Sequence, residues 1–124
     1  MSELAQPAER FIRGHIRSVW DLELLLLLLR DPARSWSAPE LVRELRASAP
    51  LVTDSLMALL RAGCIAGSET EGFRYCPASD DIEAGVQAAR SAYGSFPVAV
   101  TKLIWEGPRS KIQDFADAFR LKKD

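Results

Sequence analysis

The sequence has little of the two residue types that most often bind metals or form cross-links. It contains two cysteines, Cys64 and Cys76, and one histidine, His15. Two cysteines are too few for a disulfide scaffold, and a zinc site would need two further ligands, a set that His15 alone does not complete. We therefore predict no metal and no cofactor. The two cysteines are interpreted as small apolar residues, with a redox pair as the alternative.

An excess of charge of either sign is also missing. The 16 Lys and Arg residues stand against 17 Asp and Glu residues, which gives a formal net charge of -1. This balance excludes a strongly basic nucleic-acid-binding protein, but it leaves room for a local basic patch.

No apolar run is long enough for a membrane span. The run from Leu24 to Leu29 follows Asp21 and Glu23 and stops at Arg30. A spanning helix needs about 20 largely apolar residues, so this run predicts a buried core helix and no membrane partner. Because no secretory signal is recognised and cysteine is scarce, the expected location is the cytoplasm.

Catalytic signatures are absent from the sequence as well. It has no Gly-rich phosphate loop, no nucleophile elbow and no paired catalytic carboxylates. The acidic residues Asp80, Asp81 and Glu83 have no matching base or nucleophile, and such a cluster is typical of the start of a helix. We predict that the protein is not an enzyme.

Helical periodicity is what the sequence does contain. Its 124 residues, 48% of them hydrophobic, fit one domain with a substantial core. Pro7 opens a first predicted helix, and Ser18 caps a second that runs to Arg30. Leucines occupy nearly every side of the second helix, so the terminal helices or a second subunit must cover it.

The segment after the leucine helix predicts two helices and a hairpin. The spacing of Ser37 and Glu40 is that of a capping box, and a glycine such as Gly63 commonly ends a helix. Two short apolar runs around a Gly-containing turn predict a β-hairpin. The elements, in order, are a strand at residues 35–37, a helix starting at Ser37, a turn at 47–50, a helix ending at Gly63, and a hairpin at 65–76.

Further helices are predicted beyond the hairpin. A helix begins at Ser79 or Asp80 and continues to about Tyr93, where Gly94-Ser95 breaks it. Pro97 starts another through Trp105, with a strand as the alternative because β-branched residues are frequent there. A last amphipathic helix carries Ile112, Phe115 and Phe119 on one face. The predicted fold class is mainly α with a small β-hairpin.

The order helix, short strand, helix, turn, helix and hairpin resembles the winged helix-turn-helix domains of bacterial regulators, in the group that contains MarR-like and PadR-like proteins. The stretches that carry the resemblance are 37–41 and 52–65, within residues 19–78. The resemblance implies a winged helix-turn-helix at residues 19–79, an N-terminal helical extension at 1–18, and C-terminal helices at 80–124 that serve as a possible dimerisation element. It also implies a transcriptional regulator that binds double-stranded DNA as a homodimer.

The resemblance makes residues 51–62 the recognition helix. Thr53, Ser55 and Arg61 are then candidates to contact the major groove, and Arg74 of the wing to contact the backbone. Arg43 and Arg46 are further candidates. Residues 35–76 contain four Arg and five acidic residues, and this balance argues against tight autonomous binding to DNA. The basic face of Arg10, Arg13 and Arg17 is interpreted as solvated, with phosphate contact as the alternative.

A protein-protein interaction module on the same fold is the alternative function. The slight excess of acids over arginines in residues 35–76 and the apolar last helix favour this function. Leu51 and Met57 are its candidate partner or dimer contacts, together with Ile112, Phe115 and Phe119.

Overall fold

A computed structural model describes residues 4–106 of the chain. This part is mainly helical with one two-stranded antiparallel sheet, so the predicted fold class is confirmed at this level. The predicted helix with Ile112, Phe115 and Phe119 lies outside the described residues. The elements are α1 (Gln6–His15), α2 (Val19–Arg30), α3 (Ala38–Leu45), α4 (Ala49–Ala62), β1 (Ile65–Ser68), β2 (Gly72–Tyr75), α5 (Asp80–Ser95) and α6 (residues 97–106).

Local capping sets the ends of the central helices as the sequence predicts. The Ser18 hydroxyl accepts a hydrogen bond from the Asp21 amide at 3.2 Å at the start of α2. The capping box before α3 is complete, because the Ser37 amide donates to Glu40 Oε1 at 2.8 Å and the Glu40 amide donates to Ser37 Oγ at 3.2 Å. Gly63 ends α4 with a left-handed φ of 77°, a conformation that glycine adopts at little cost.

Four details differ from the expectations. Helix α4 begins at Ala49 with Ser48 as its cap, so the last two residues of the turn predicted at 47–50 are helical. Trp36 makes a single bridge to Phe73, through two backbone hydrogen bonds of 2.8 and 2.7 Å, instead of a strand over residues 35–37. Helix α5 continues through Gly94 to Ser95, since one glycine costs a helix only about 1 kcal/mol. Residues 97–106 are helical, so the alternative of a strand there is wrong.

The leucine helix α2 lies at the centre of the core. Six of its leucines are buried, and Leu26 is half-buried. Residues from every other element join the same buried cluster, including Phe11 of α1, Val86 of α5 and Val100 of α6. The elements outside residues 19–79 therefore contribute to the core around α2. Within residues 4–106, no helix combines the length and apolar character needed to cross a membrane.

Helices α1 and α5 approach each other closely at one point. A Cβ added to Gly85 would lie 2.5 Å from Phe11 Cδ1, well inside van der Waals contact. Because Phe11 is itself buried, its ring has little freedom to move away. Glycine at position 85 is what permits the close packing of α5 on α1.

Candidate nucleic-acid interface and the adjoining cleft

Helix α4 occupies the position of the predicted recognition helix. A turn at Arg46, which adopts the left-handed conformation (φ 54°, ψ 41°), leads from α3 into α4. Val52, Leu56 and Leu59 are buried, as the sequence predicts for the inward face. The opposite face is open to solvent. Its exposed side chains are Ala49, Pro50, Leu51, Thr53, Asp54, Met57 and Arg61.

Ser55 is not on the open face, so its assignment to the major groove is wrong. It is 2% exposed, and its hydroxyl donates a hydrogen bond of 2.7 Å to Asp21 Oδ1. Helical spacing explains this position, because Ser55 lies three residues after Val52 and four before Leu59 and so shares their inward stripe. Ala58 is buried for the same reason.

The acceptor of the Ser55 hydrogen bond is a fully buried carboxylate that sequence reasoning missed. Asp21 Oδ2 accepts from the amide and the Nε of Arg17, at 3.0 and 3.3 Å, and Oδ1 also accepts from the Ser18 hydroxyl at 3.3 Å. Arg17 in turn donates from Nη2 to the carbonyl of Asp54 at 3.2 Å. This Asp21 network ties α4 to the junction of α1 and α2. The available signal was an acid in the first turn of the leucine-rich helix, and Glu23 in the same helix shows why that signal is weak.

The candidate arginines remain available to an external ligand. Arg43, Arg46, Arg61 and Arg74 are all exposed, and none forms an ion pair with another of the described residues. Arg46 precedes α4 and Arg61 lies in its last turn, so about 20 Å of helix separates them. Arg46 and Arg61 therefore lie at opposite ends of α4.

The acids near this surface offset its arginines. The hydrogen bond from the Ser37 amide, above all, lowers the pKa of Glu40, so this carboxylate stays ionised in the capping box. Glu44 is exposed and lines a separate cleft. Asp54, Glu69 and Glu71 are exposed on α4 and the hairpin, so the near balance of charge over residues 35–76 remains.

The cysteines lie on opposite arms of the hairpin. The Cys76 amide donates to the Cys64 carbonyl at 3.1 Å, and both thiols are free. Burial raises the pKa of the Cys64 thiol to about 12, which makes it unreactive at neutral pH. Among the described residues, no three His, Cys, Asp or Glu side chains come together as a metal-binding group.

A cleft of about 720 Å³ lies between α2, α3 and α5. Glu23 in its wall accepts a hydrogen bond of 2.6 Å from the Tyr93 hydroxyl, and this bond, more than burial, raises the pKa of Tyr93 to about 12. Leu45 is half-buried and lines the cleft. The lining residues are Val19, Trp20, Glu23, Leu26, Leu27 and Arg30 of α2, Glu44 and Leu45 of α3, and Arg90 of α5.

An apolar surface continues from the cleft toward α4. Trp20 is 37% exposed and Leu51 is 38% exposed, and with Leu45 they border a second, smaller pocket. Met57, the other candidate partner contact on α4, is 48% exposed.

Comparison with models of protein families, with curated proteins and with solved structures gives no match for this chain. The likeness to bacterial winged-helix regulators therefore stays a prediction from the sequence.

Proposed function

We propose that the protein binds double-stranded DNA through α4 and the β1–β2 hairpin, as a winged-helix regulator of transcription. The observation that carries the proposal is the arrangement of helix, left-handed turn, helix and hairpin with four exposed arginines that have no ion pair among the described residues. Thr53 is the one exposed hydroxyl on the open face of α4, and with Arg61 it is assigned to the groove. Arg43, Arg46 and Arg74 are assigned to phosphates.

The expected affinity is modest and strongly dependent on salt. Each phosphate neutralised contributes about -0.9 to the slope of log K against log salt, so the three phosphate contacts of each protomer give a slope near -2.7. Raising the salt concentration from about 50 to 200 mM then weakens binding by about 40-fold. Fluorescence anisotropy with a labelled duplex of mixed sequence measures both quantities.

A matched pair of variants tests the assigned surface. Replacing Arg61 and Arg74 with alanine removes one groove contact and one phosphate contact, so the slope should change from about -2.7 to about -1.8. The control replaces Arg10 and Lys102, two exposed cations on α1 and α6, and should leave the slope unchanged. If both pairs change the slope equally, or if the wild-type chain binds no duplex at the lower salt concentration, the proposal is wrong.

Arg46 allows stability and binding to be separated. A non-glycine residue in the left-handed conformation is strained by about 1 kcal/mol, and Arg46→Gly relieves that strain while removing a cation. We expect the free energy of unfolding to stay constant or rise, while the salt slope loses about 0.9. A variant that is less stable and binds normally would contradict this assignment.

The second candidate function is the protein-protein interaction module. The exposure of Leu51 beside Trp20, and of Met57 on the same face of α4, favours it, because apolar side chains on this open face suit a protein partner better than a phosphate backbone. Leu51→Ser with Met57→Ser should abolish binding to such a partner. The same double variant should leave the salt slope for DNA intact, so the two functions predict opposite results.

A further inference from the structure

We propose that the cleft beside α2 is an interface between two copies of this chain. Its wall contains half-buried Val19 and Leu26 and exposed Trp20, the part of α2 that the rest of the described chain leaves uncovered. Tryptophan is among the residues that most often dominate interface energies. The proposal concerns association alone and stands or falls without DNA binding.

The charges around the cleft are self-complementary. Glu44 comes from α3 and Arg90 from α5, the two helices that border α2 at the cleft, and neither forms an ion pair with another described residue. In a two-fold dimer each contact occurs twice, with the roles of the protomers exchanged. We place the two-fold axis so that the α3 side of one cleft meets the α5 side of the other. Glu44 of each protomer then lies against the partner's Arg90.

The same symmetry explains how a concave surface can meet its own copy. Trp20 lies toward α3 and α4, since it also borders the smaller pocket with Leu45 and Leu51. Exchange of the two borders brings the Trp20 indole toward the α5 side of the partner's cleft. Each cleft has a volume of about 720 Å³, which is large enough to receive an aromatic side chain from the other protomer.

A second copy fits the cleft better than a partner of one charge. The lining carries two acids, Glu23 and Glu44, and two bases, Arg30 and Arg90, so it has no net charge. An acidic or basic peptide would satisfy one pair and oppose the other. A copy related by a two-fold axis presents both signs where both are needed.

Charge reversal at Glu44 and Arg90 tests the interface in the full chain. Mass measurement by light scattering after gel filtration, from about 1 to 100 μM, should show the wild-type chain as a concentration-dependent dimer. Glu44→Arg alone, or Arg90→Glu alone, places like charges together at two sites and should weaken association by about 10- to 100-fold. The double variant should dimerise again.

Mixing the two single variants gives the sharpest result. One then carries arginine at both positions and the other carries glutamate at both, so they should form a heterodimer with each other while neither pairs with itself. Native mass spectrometry separates the species by mass. Circular dichroism melts control for folding, which exposed side chains should not disturb.

Two results overturn the proposal. One is a wild-type chain that stays monomeric at every concentration. This result overturns the proposal whether the cleft is open, covered by residues 107–124 or covered by another protein. The other is a dimer that neither single charge reversal weakens, since its interface would lie elsewhere on the chain.

Discussion

Replacing Ser55 with alanine tests whether this residue stabilises the fold or contacts a ligand. The substitution removes the hydroxyl that donates to the buried Asp21 carboxylate at 2.7 Å. A hydrogen bond to a charged group contributes about 1.5–3 kcal/mol, and the better helix propensity of alanine returns about 0.5 kcal/mol. We therefore expect Ser55→Ala to lower the free energy of unfolding by about 1–2.5 kcal/mol. For a chain of this size the midpoint of thermal unfolding falls by roughly 3–12 °C.

The control for this experiment lies two residues earlier on the same helix. Thr53 is exposed and makes no side-chain hydrogen bond within the described part of the chain. Thr53→Ala should change the free energy of unfolding by less than about 0.5 kcal/mol, in the stabilising direction. Urea unfolding followed by circular dichroism measures both variants. If Ser55→Ala is no more destabilising than Thr53→Ala, the described role of the Asp21 network is refuted.

Two further predictions concern packing and thiol chemistry. Gly85→Ala should lower the free energy of unfolding by about 1–2 kcal/mol, because its methyl group collides with Phe11, whereas Gly94→Ala in the same helix meets nothing within 4 Å and should raise it by up to about 1 kcal/mol. Stabilisation by both variants in urea would contradict the close contact. Iodoacetamide at about pH 8 should modify half-buried Cys76 well before fully buried Cys64 in the folded protein. Peptide mass mapping decides this order, and equal rates would count against the buried, protonated Cys64 thiol.

Local signals made much of the fold predictable. The cap at Ser18, the capping box of Ser37 and Glu40, and the left-handed Gly63 each depend on atoms a few residues apart. Such geometry is encoded by spacing alone, so the starts of α2 and α3 and the end of α4 follow from it. The burial of Val52 and Leu59 likewise follows from their helical spacing.

Contacts between distant residues were not predictable in the same way. Ser55 was assigned to the surface because serine is polar, although its spacing from the core residues of α4 placed it inward. Its acceptor, Asp21, is 34 residues away, and no local pattern joins the two. The cleft depends on how three helices meet, so the presence of Glu44 and Arg90 in one lining emerges only in three dimensions.

The Asp21 network also bears on how a leucine-rich helix finds one register. Leucine side chains pack without strong direction, so α2 could slide along α4 by a turn and still bury similar apolar area. The bonds from Ser55 to Asp21 and from Arg17 to the Asp54 carbonyl would both be lost in such a slide. Buried polar groups are best attested in this role of fixing register. We infer that Asp21 fixes α4 on α2, so Ser55→Ala should broaden the NMR signals of both helices at temperatures where the chain is still folded, whereas sharp, unshifted signals would show that apolar packing alone sets the register.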